Sequence, residues 1–211
     1  MMRVSEIFRS IQGEGVLIGT PTVFVRTVGC NLNCDWCDTE YARTGGEEMS
    51  VEAILVKVDS FKTPFVCLTG GEPLTQKKEA VRLMIKLLEN GYHVTLETNG
   101  SIDLEEVPCS ENMLISMDLK CPSSGMEEKM MFSNIELLSP ADQLKFIVAD
   151  KDDLKYADKI LKQYTVQCTV IFTPVGGLEL LPVAEWVLQK KINARVLPQL
   201  HKIIWGEKPG V

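Results

Sequence analysis

The chain has 211 residues, 45% of them hydrophobic, with 29 acidic against 22 basic side chains and a net charge of −7. That length suits one domain, 1–211, around a single core, and the acidic balance argues against a nucleic-acid groove, which usually needs a basic patch, although a few local Lys or Arg residues can still hold a small anion. No apolar run approaches the roughly 18 residues of a membrane span, so neither nucleic acid nor membrane is expected as a partner.

The start, Met1 to Glu6, turns polar too soon for a signal peptide. Seven cysteines without such a signal point to a reducing, cytoplasmic location. Residues 3–9 alternate enough for a strand, and Ser10 to Gly15 follow as a polar loop broken by glycine. Pro21 to Val28 is β-branched and reads as a buried strand. Arg26 interrupts it, either as an edge residue or as a cation reserved for a carboxylate. The strand leads straight into Cys30, which places Arg26 beside the loop that follows.

That loop, Gly29 to Thr39, carries Cys30, Cys34 and Cys37. A loop this short gathers three thiolates around one metal centre. A 4Fe–4S cubane takes four ligands, so three cysteines leave one iron open for a substrate or cofactor. Structural zinc is the alternative, but such sites close with four protein ligands. The only histidines, His93 and His201, lie far away in sequence.

Ser50 caps a helix with Val51, Ile54, Leu55 and Val58 on one stripe. Pro64 to Thr69 is the next strand and ends in Gly70-Gly71-Glu72-Pro73, where glycine lets backbone approach a ligand closely. A helix with Ala80, Leu83, Met84, Leu87 and Leu88 on one face stops at Gly91. Strands follow at His93 to Gly100, Asn112 to Leu119, Asp142 to Ala149 (with Lys145 inside it) and Val166 to Thr173. Helices are expected around Ala157 to Tyr164 and over residues 180–191, and an extended segment at Ala194 to Gln199 leads to His201 and Lys202. Cys67, Cys109, Cys121 and Cys168 have no paired spacing and read as packing or surface thiols. Strands alternating with helical stripes imply βα units and a parallel sheet. Every unusual polar cluster falls at the C-terminal end of a strand, the edge that carries active sites in such folds. About six parallel strands are too few for a closed eight-stranded barrel, so the expected fold is an open, partial βα barrel.

The cysteine loop, together with Gly70 to Pro73, resembles the radical S-adenosylmethionine (SAM) superfamily. The whole chain is similar to the 7-carboxy-7-deazaguanine synthase family through Phe8 to Gly15, Cys37-Asp38-Thr39, Thr69 to Pro73, Glu97 to Gly100 and Gln199 to Lys202. The resemblance implies conversion of 6-carboxy-5,6,7,8-tetrahydropterin to 7-carboxy-7-deazaguanine with loss of ammonia, for the modified bases queuosine or archaeosine. The radical that starts this chemistry comes from SAM and a reduced cluster held by Cys30, Cys34 and Cys37. It implies SAM contacts at Trp36, Cys37, Asp38, Gly70, Gly71, Glu72, Gly100, Asp118, Leu119, Lys120, Thr173, Pro174, Val175 and Gly176. It implies substrate contacts at Gln12, Gly13, Glu14, Arg26, Thr98, His201, Lys202 and Val211. Thr39 becomes the ligand of a Mg²⁺ ion, an electron donor such as flavodoxin or ferredoxin is required, and a homodimer is expected. The chain departs from the family where members often carry Ser-Pro-Lys, here Asp118-Leu119-Lys120, and Gln-Pro, here Thr173-Pro174. A glycyl-radical-enzyme activase shares the cluster loop but needs a protein partner, and a zinc-bound interaction module without catalysis is the reading from another class.

Overall fold

The structure is a computed structural model that describes residues 1–206, 208 and 210. It is built on one nine-stranded sheet in the order β3-β1-β2-β4-β5-β6-β7-β8-β9. The strands are β1 (Met2–Ile11), β2 (Pro21–Thr27), β3 (Glu47–Met49), β4 (Phe65–Gly70), β5 (His93–Thr98), β6 (Met113–Lys120), β7 (Gln143–Val148), β8 (Thr169–Pro174) and β9 (Arg195–Val196). From β2 through β4 to β9 every neighbour is parallel, while β1 runs antiparallel to β2 and to β3. The sheet does not close on itself, which is the open partial barrel expected from the sequence.

Among the described residues six α-helices complete the fold: α1 (Val51–Ser60), α2 (Lys77–Glu89), α3 (Asn134–Leu137), α4 (Lys151–Gln163), α5 (Leu180–Lys190) and α6 (Leu200–Trp205). Their ends follow local chemistry. The Ser50 hydroxyl accepts from the Ala53 amide at the start of α1, and Asp150 accepts from the Asp152 and Asp153 amides at the start of α4. Gly91, at φ +81°, ends the turn after α2 in the left-handed conformation that a side chain resists. Among the described residues no helix is long and apolar enough to cross a membrane.

Strand alternation then divides the sheet into two chemistries. Val66, Leu68, Leu96, Leu144, Phe146 and Phe172 are buried in the core. Each is worth about 1.5–3 kcal/mol of burial. Phe146 and Phe172 stack at 5.2 Å, and Trp186 of α5 meets Phe172 edge-on at 5.7 Å. The intervening positions Arg26, Glu97, Asp118, Lys120 and Lys145 belong to the opposite face and line a cavity.

Three parts of the fold differ from the sequence reading. β9 adds a seventh parallel strand, but at two residues it is too short to show a period. β3 is a three-residue edge rich in glutamate, recruited by pairing with β1 rather than by propensity. The segment after Gln199 turns into α6, and Gln199 supplies no side-chain cap that would have announced a helix.

Candidate functional site

The three cysteines lie on a loop between β2 and a short 3₁₀ turn at Glu40–Arg43. Both ends of the loop are tied down. The Gly29 amide donates to Ala42 O at 2.9 Å, the Glu72 amide donates to Gly29 O at 2.8 Å, and the Asp35 amide donates to Ser124 O at 3.1 Å. Cys30, Cys34 and Cys37 are unpaired thiols of intermediate burial that line one cavity. The Leu32 amide and Asn99 Nδ2 approach Cys30 Sγ at 3.5 and 3.8 Å, and donors of this kind stabilise a cluster thiolate. Burial pushes the Cys34 thiol up, and the nearby Lys120 cation opposes that rise. Three free thiols on one loop facing one cavity are the donor set that a 4Fe–4S cluster with one open iron requires.

The turn after β4 packs on this loop. A Cβ at Gly71 would overlap the carbonyl of Gly29 and crowd Cys30, so only glycine brings the two backbones together. Glu72 does not face the cavity as expected. Its side chain is fully buried and accepts from the Leu74 amide at 2.9 Å, the Asn99 amide at 2.6 Å and the Thr98 hydroxyl at 3.0 Å. Burial pushes its carboxyl up to about 7 despite those bonds. Glu72 ties the end of β4 to the end of β5, leaving the backbone of Gly70 and Gly71 in the cavity wall.

Deeper in the cavity stands a cation that the sequence reading noted without a role. Lys145 is 2% exposed, and its Nζ lies 2.9 Å from Glu14, 2.8 Å from Glu97 and 3.0 Å from Asp118. Lys120 Nζ adds a contact at 3.1 Å to Asp118 and sits 5.2 Å from the centre of the Trp36 ring. Burial alone would lower Lys145 and raise Glu14. The mutual attraction overrides it, keeping Lys145 charged and holding the Glu14 carboxyl at about 2. For Glu97 burial wins and its carboxyl is raised. One Glu97 oxygen is buried without a hydrogen-bond partner among the described residues, as is the amide oxygen of Gln199. Two lysines facing three carboxylates make this end of the cavity acidic and suited to a ligand rich in N–H donors.

At the mouth, Gln199 Nε2 donates to Glu14 at 2.8 Å, and the Leu200 amide donates to Gly13 O at 2.8 Å. A Cβ on Gly13 would overlap the His201 ring, so the glycine admits α6 against the first loop. Lys202 lies 3.9 Å from Asp38, and the Thr39 hydroxyl donates to Asp38 at 2.8 Å. Arg26, on β2, gives its Nε–H to Glu6 at 2.8 Å.

One cavity thus gathers Gln12, Gly13, Glu14, Arg26 and Thr98 with the cluster loop from Cys30 to Thr39, and with His201 and Lys202. Gly70, Gly71, Asp118, Lys120, Val175 and Gly176 complete the wall on the expected strand ends. Leu119, Thr173, Pro174 and Gly100 are not among the residues that line this cavity. Leu119 is on the core face of β6, Thr173 and Pro174 are buried in β8, and the Gly100 carbonyl accepts from Met131 and Asn134. Val211 lies outside the described residues. The sequence reading missed Lys145, Glu97, Asn99 and Gln199 as wall residues. A lysine inside the apolar run Leu144 to Val148 was the available signal for the first. The others sat within segments valued only for their resemblance.

Comparison with known proteins agrees with this geometry. Residues 24–109 match the Radical SAM superfamily. The chain is 41% identical over 206 residues to a 7-carboxy-7-deazaguanine synthase of Methanospirillum hungatei, covering 96% of this chain and 85% of that one. It is 39% identical over 210 residues to that of Thermoplasma acidophilum, covering 100% of both chains. The solved structure of QueE from Escherichia coli superposes with a TM-score of 0.76 over 95% of this chain and 94% of that one, at 23% identity, which speaks for the fold. Near-full-length identity to synthases sets aside the activase and zinc-module readings. The chain belongs to the 7-carboxy-7-deazaguanine synthase family of the radical SAM superfamily, and with it to the enzymes that use a 4Fe–4S cluster and SAM.

Proposed function

We propose that this protein converts 6-carboxy-5,6,7,8-tetrahydropterin to 7-carboxy-7-deazaguanine with loss of ammonia, in the biosynthesis of queuosine or archaeosine. The observation that carries the reading is the single cavity that joins a three-cysteine loop to an acidic inner wall and a cationic rim. When bound, the cluster and SAM supply the carbon radical that removes hydrogen from the substrate. The protein's own residues bind, orient and shield.

In this reading Cys30, Cys34 and Cys37 hold the cluster, and the backbone of Gly70, Gly71, Val175 and Gly176 with Trp36, Asp118 and Lys120 encloses SAM. Gln12 and Glu14 read the guanidine-like edge of the pterin. Glu14 is well placed for this because Lys145 and Gln199 keep it ionised and fixed, and a carboxylate accepts two parallel N–H bonds. Arg26 takes the substrate carboxylate while Thr98, His201 and Lys202 close the site. A Mg²⁺ ion at Thr39 is part of the proposal. The Thr39–Asp38 hydrogen bond supports it, since Asp38 can orient a hydrated ion that fills its octahedron with substrate oxygens and water. The protein would act as one domain, in a cytoplasmic homodimer, with flavodoxin or ferredoxin as reductant; family resemblance supports these points.

The test is ligand binding by calorimetry on anaerobically reconstituted protein with SAM. It should bind 6-carboxypterin, a redox-stable analogue, more tightly than pterin without the carboxylate. Absence of pterin binding by a protein with a full cluster would overturn the proposal.

A further inference from the structure

Arg26 is held by more than a simple cross-strand pair. Glu6 and Arg26 face each other in the β1–β2 register, and the register slips between Val4 and Glu6. An extra residue of this kind re-aims neighbouring side chains, and such bulges are frequent beside active sites. Glu6 Oε1 accepts from Arg26 Nε at 2.8 Å and also from the Tyr41 hydroxyl at 2.9 Å. Tyr41 comes from a different segment, the 3₁₀ turn that begins immediately after Thr39. The Arg26 Cζ lies 5.7 Å from the ring centres of both Phe8 and Tyr41, within cation–π range of each. Phe8 is itself fixed by stacking on Phe24 at 5.2 Å. Arg26, Phe8 and Phe24 line the cavity wall.

A guanidinium presents five N–H groups in a rigid planar fork. With Nε occupied by Glu6, the edge left for a ligand is the far end, where two Nη groups match the two oxygens of a carboxylate. Among the described residues neither Nη group meets an acceptor.

We infer that Glu6 and Tyr41 are positioning residues for Arg26, fixing its guanidinium so that its Nη edge reads the substrate carboxylate and makes the site specific for a carboxylated pterin. The inference rests on the pterin reading of the cavity. It also links carboxylate recognition to the cluster loop, because Tyr41 fastens the tail of that loop to the same glutamate that orients Arg26.

The experiment uses the reconstituted holoprotein with SAM and two probes, 6-carboxypterin and pterin. Glu6→Ala should raise the dissociation constant for 6-carboxypterin about tenfold, the equivalent of about 1.4 kcal/mol, and leave pterin unchanged. Tyr41→Phe should act in the same direction by a smaller factor. Glu6→Gln, which keeps an acceptor for Nε–H, should restore most of the discrimination. In an Arg26→Met background Glu6→Ala should have no further effect, since a positioning residue acts only through its client. Equal weakening of both probes, unchanged binding of both, or a full effect in the Arg26→Met background would overturn the inference. If the wild type binds neither probe, the pterin reading falls; if it binds both without distinguishing them, carboxylate recognition by Arg26 falls and the positioning role with it. If the wild type distinguishes them and Glu6→Ala does so equally well, only the positioning role falls.

Discussion

Replacing Lys145 with Met removes the single cation shared by Glu14, Glu97 and Asp118. The lysine and methionine stems are similar in length, so the perturbation is mainly one of charge. Breaking a buried ion pair from one side typically costs 3–5 kcal/mol because the remaining charge is uncompensated. The structure gives an independent figure for one of the three partners. Glu14 titrates at about 2 rather than 4.5, and at about 1.4 kcal/mol per pH unit that gap corresponds to about 3 kcal/mol. Because the folded value is depressed, this stabilisation is present above about 4.5 and is lost as pH falls through about 2. Lys145 is raised well above an ordinary lysine, so its contribution is constant from pH 5 to 8. In the variant Glu14 and Glu97 lose the cation that opposes the effect of their burial, so both are raised and take up protons as the pH falls. Lys145→Met should therefore cost about 3–5 kcal/mol at pH 7.5 and distinctly less at pH 5. Anaerobic urea unfolding followed by tryptophan fluorescence, variant against parent at both pH values, measures this. A loss below about 1 kcal/mol, or one independent of pH, would refute a buried, charge-locked network.

Other outcomes follow from the same geometry. Arg26→Met should raise the dissociation constant of 6-carboxypterin in calorimetry and leave SAM binding nearly unchanged; equal loss of both would point to misfolding. Glu72→Ala orphans the buried Leu74 and Asn99 amides and should cost about 3 kcal/mol in unfolding experiments. The Glu72 carboxyl is raised to about 7, so its stabilising contribution is complete below about 4.5 and is lost as pH rises through about 7. The stability gap between parent and Glu72→Gln should accordingly narrow from pH 5.5 to 8.5. Turnover after chelation should recover on adding Mg²⁺ in the wild type and poorly in Thr39→Ala; equal stimulation of both would leave the ion real but remove Thr39 as its ligand.

Much of the architecture was legible because burial and periodicity coincide. The β4 and β7 runs are apolar enough to announce buried parallel strands, and Ser50 and Gly91 mark helix ends by local chemistry. The cluster loop was legible because its three ligands are local in sequence. The rest of the site depends on register, which the sequence does not display. Lys145 meets Glu14 across 131 positions, and that contact exists only because the first loop folds over the sheet face that β7 presents. Glu72 shows the opposite error. Its place in a glycine-rich turn suggested a ligand contact, yet the backbone amides of the next turn and of Asn99 claim its carboxylate. A motif specified the position of that residue but not the direction of its side chain. Tyr41 carried no signal at all, since its role needs the β1–β2 register and the loop to be known together.

The central claim is that the cysteine loop and the polar strand ends form one catalytic site for a carboxylated pterin. Anaerobic turnover tests it most directly, with reconstituted protein, SAM, a strong reductant, Mg²⁺ and 6-carboxy-5,6,7,8-tetrahydropterin. The prediction is formation of 7-carboxy-7-deazaguanine with ammonia released in equal amount, and no product from Cys34→Ala. Cluster-replete protein that binds SAM and the pterin together yet forms no product would contradict it.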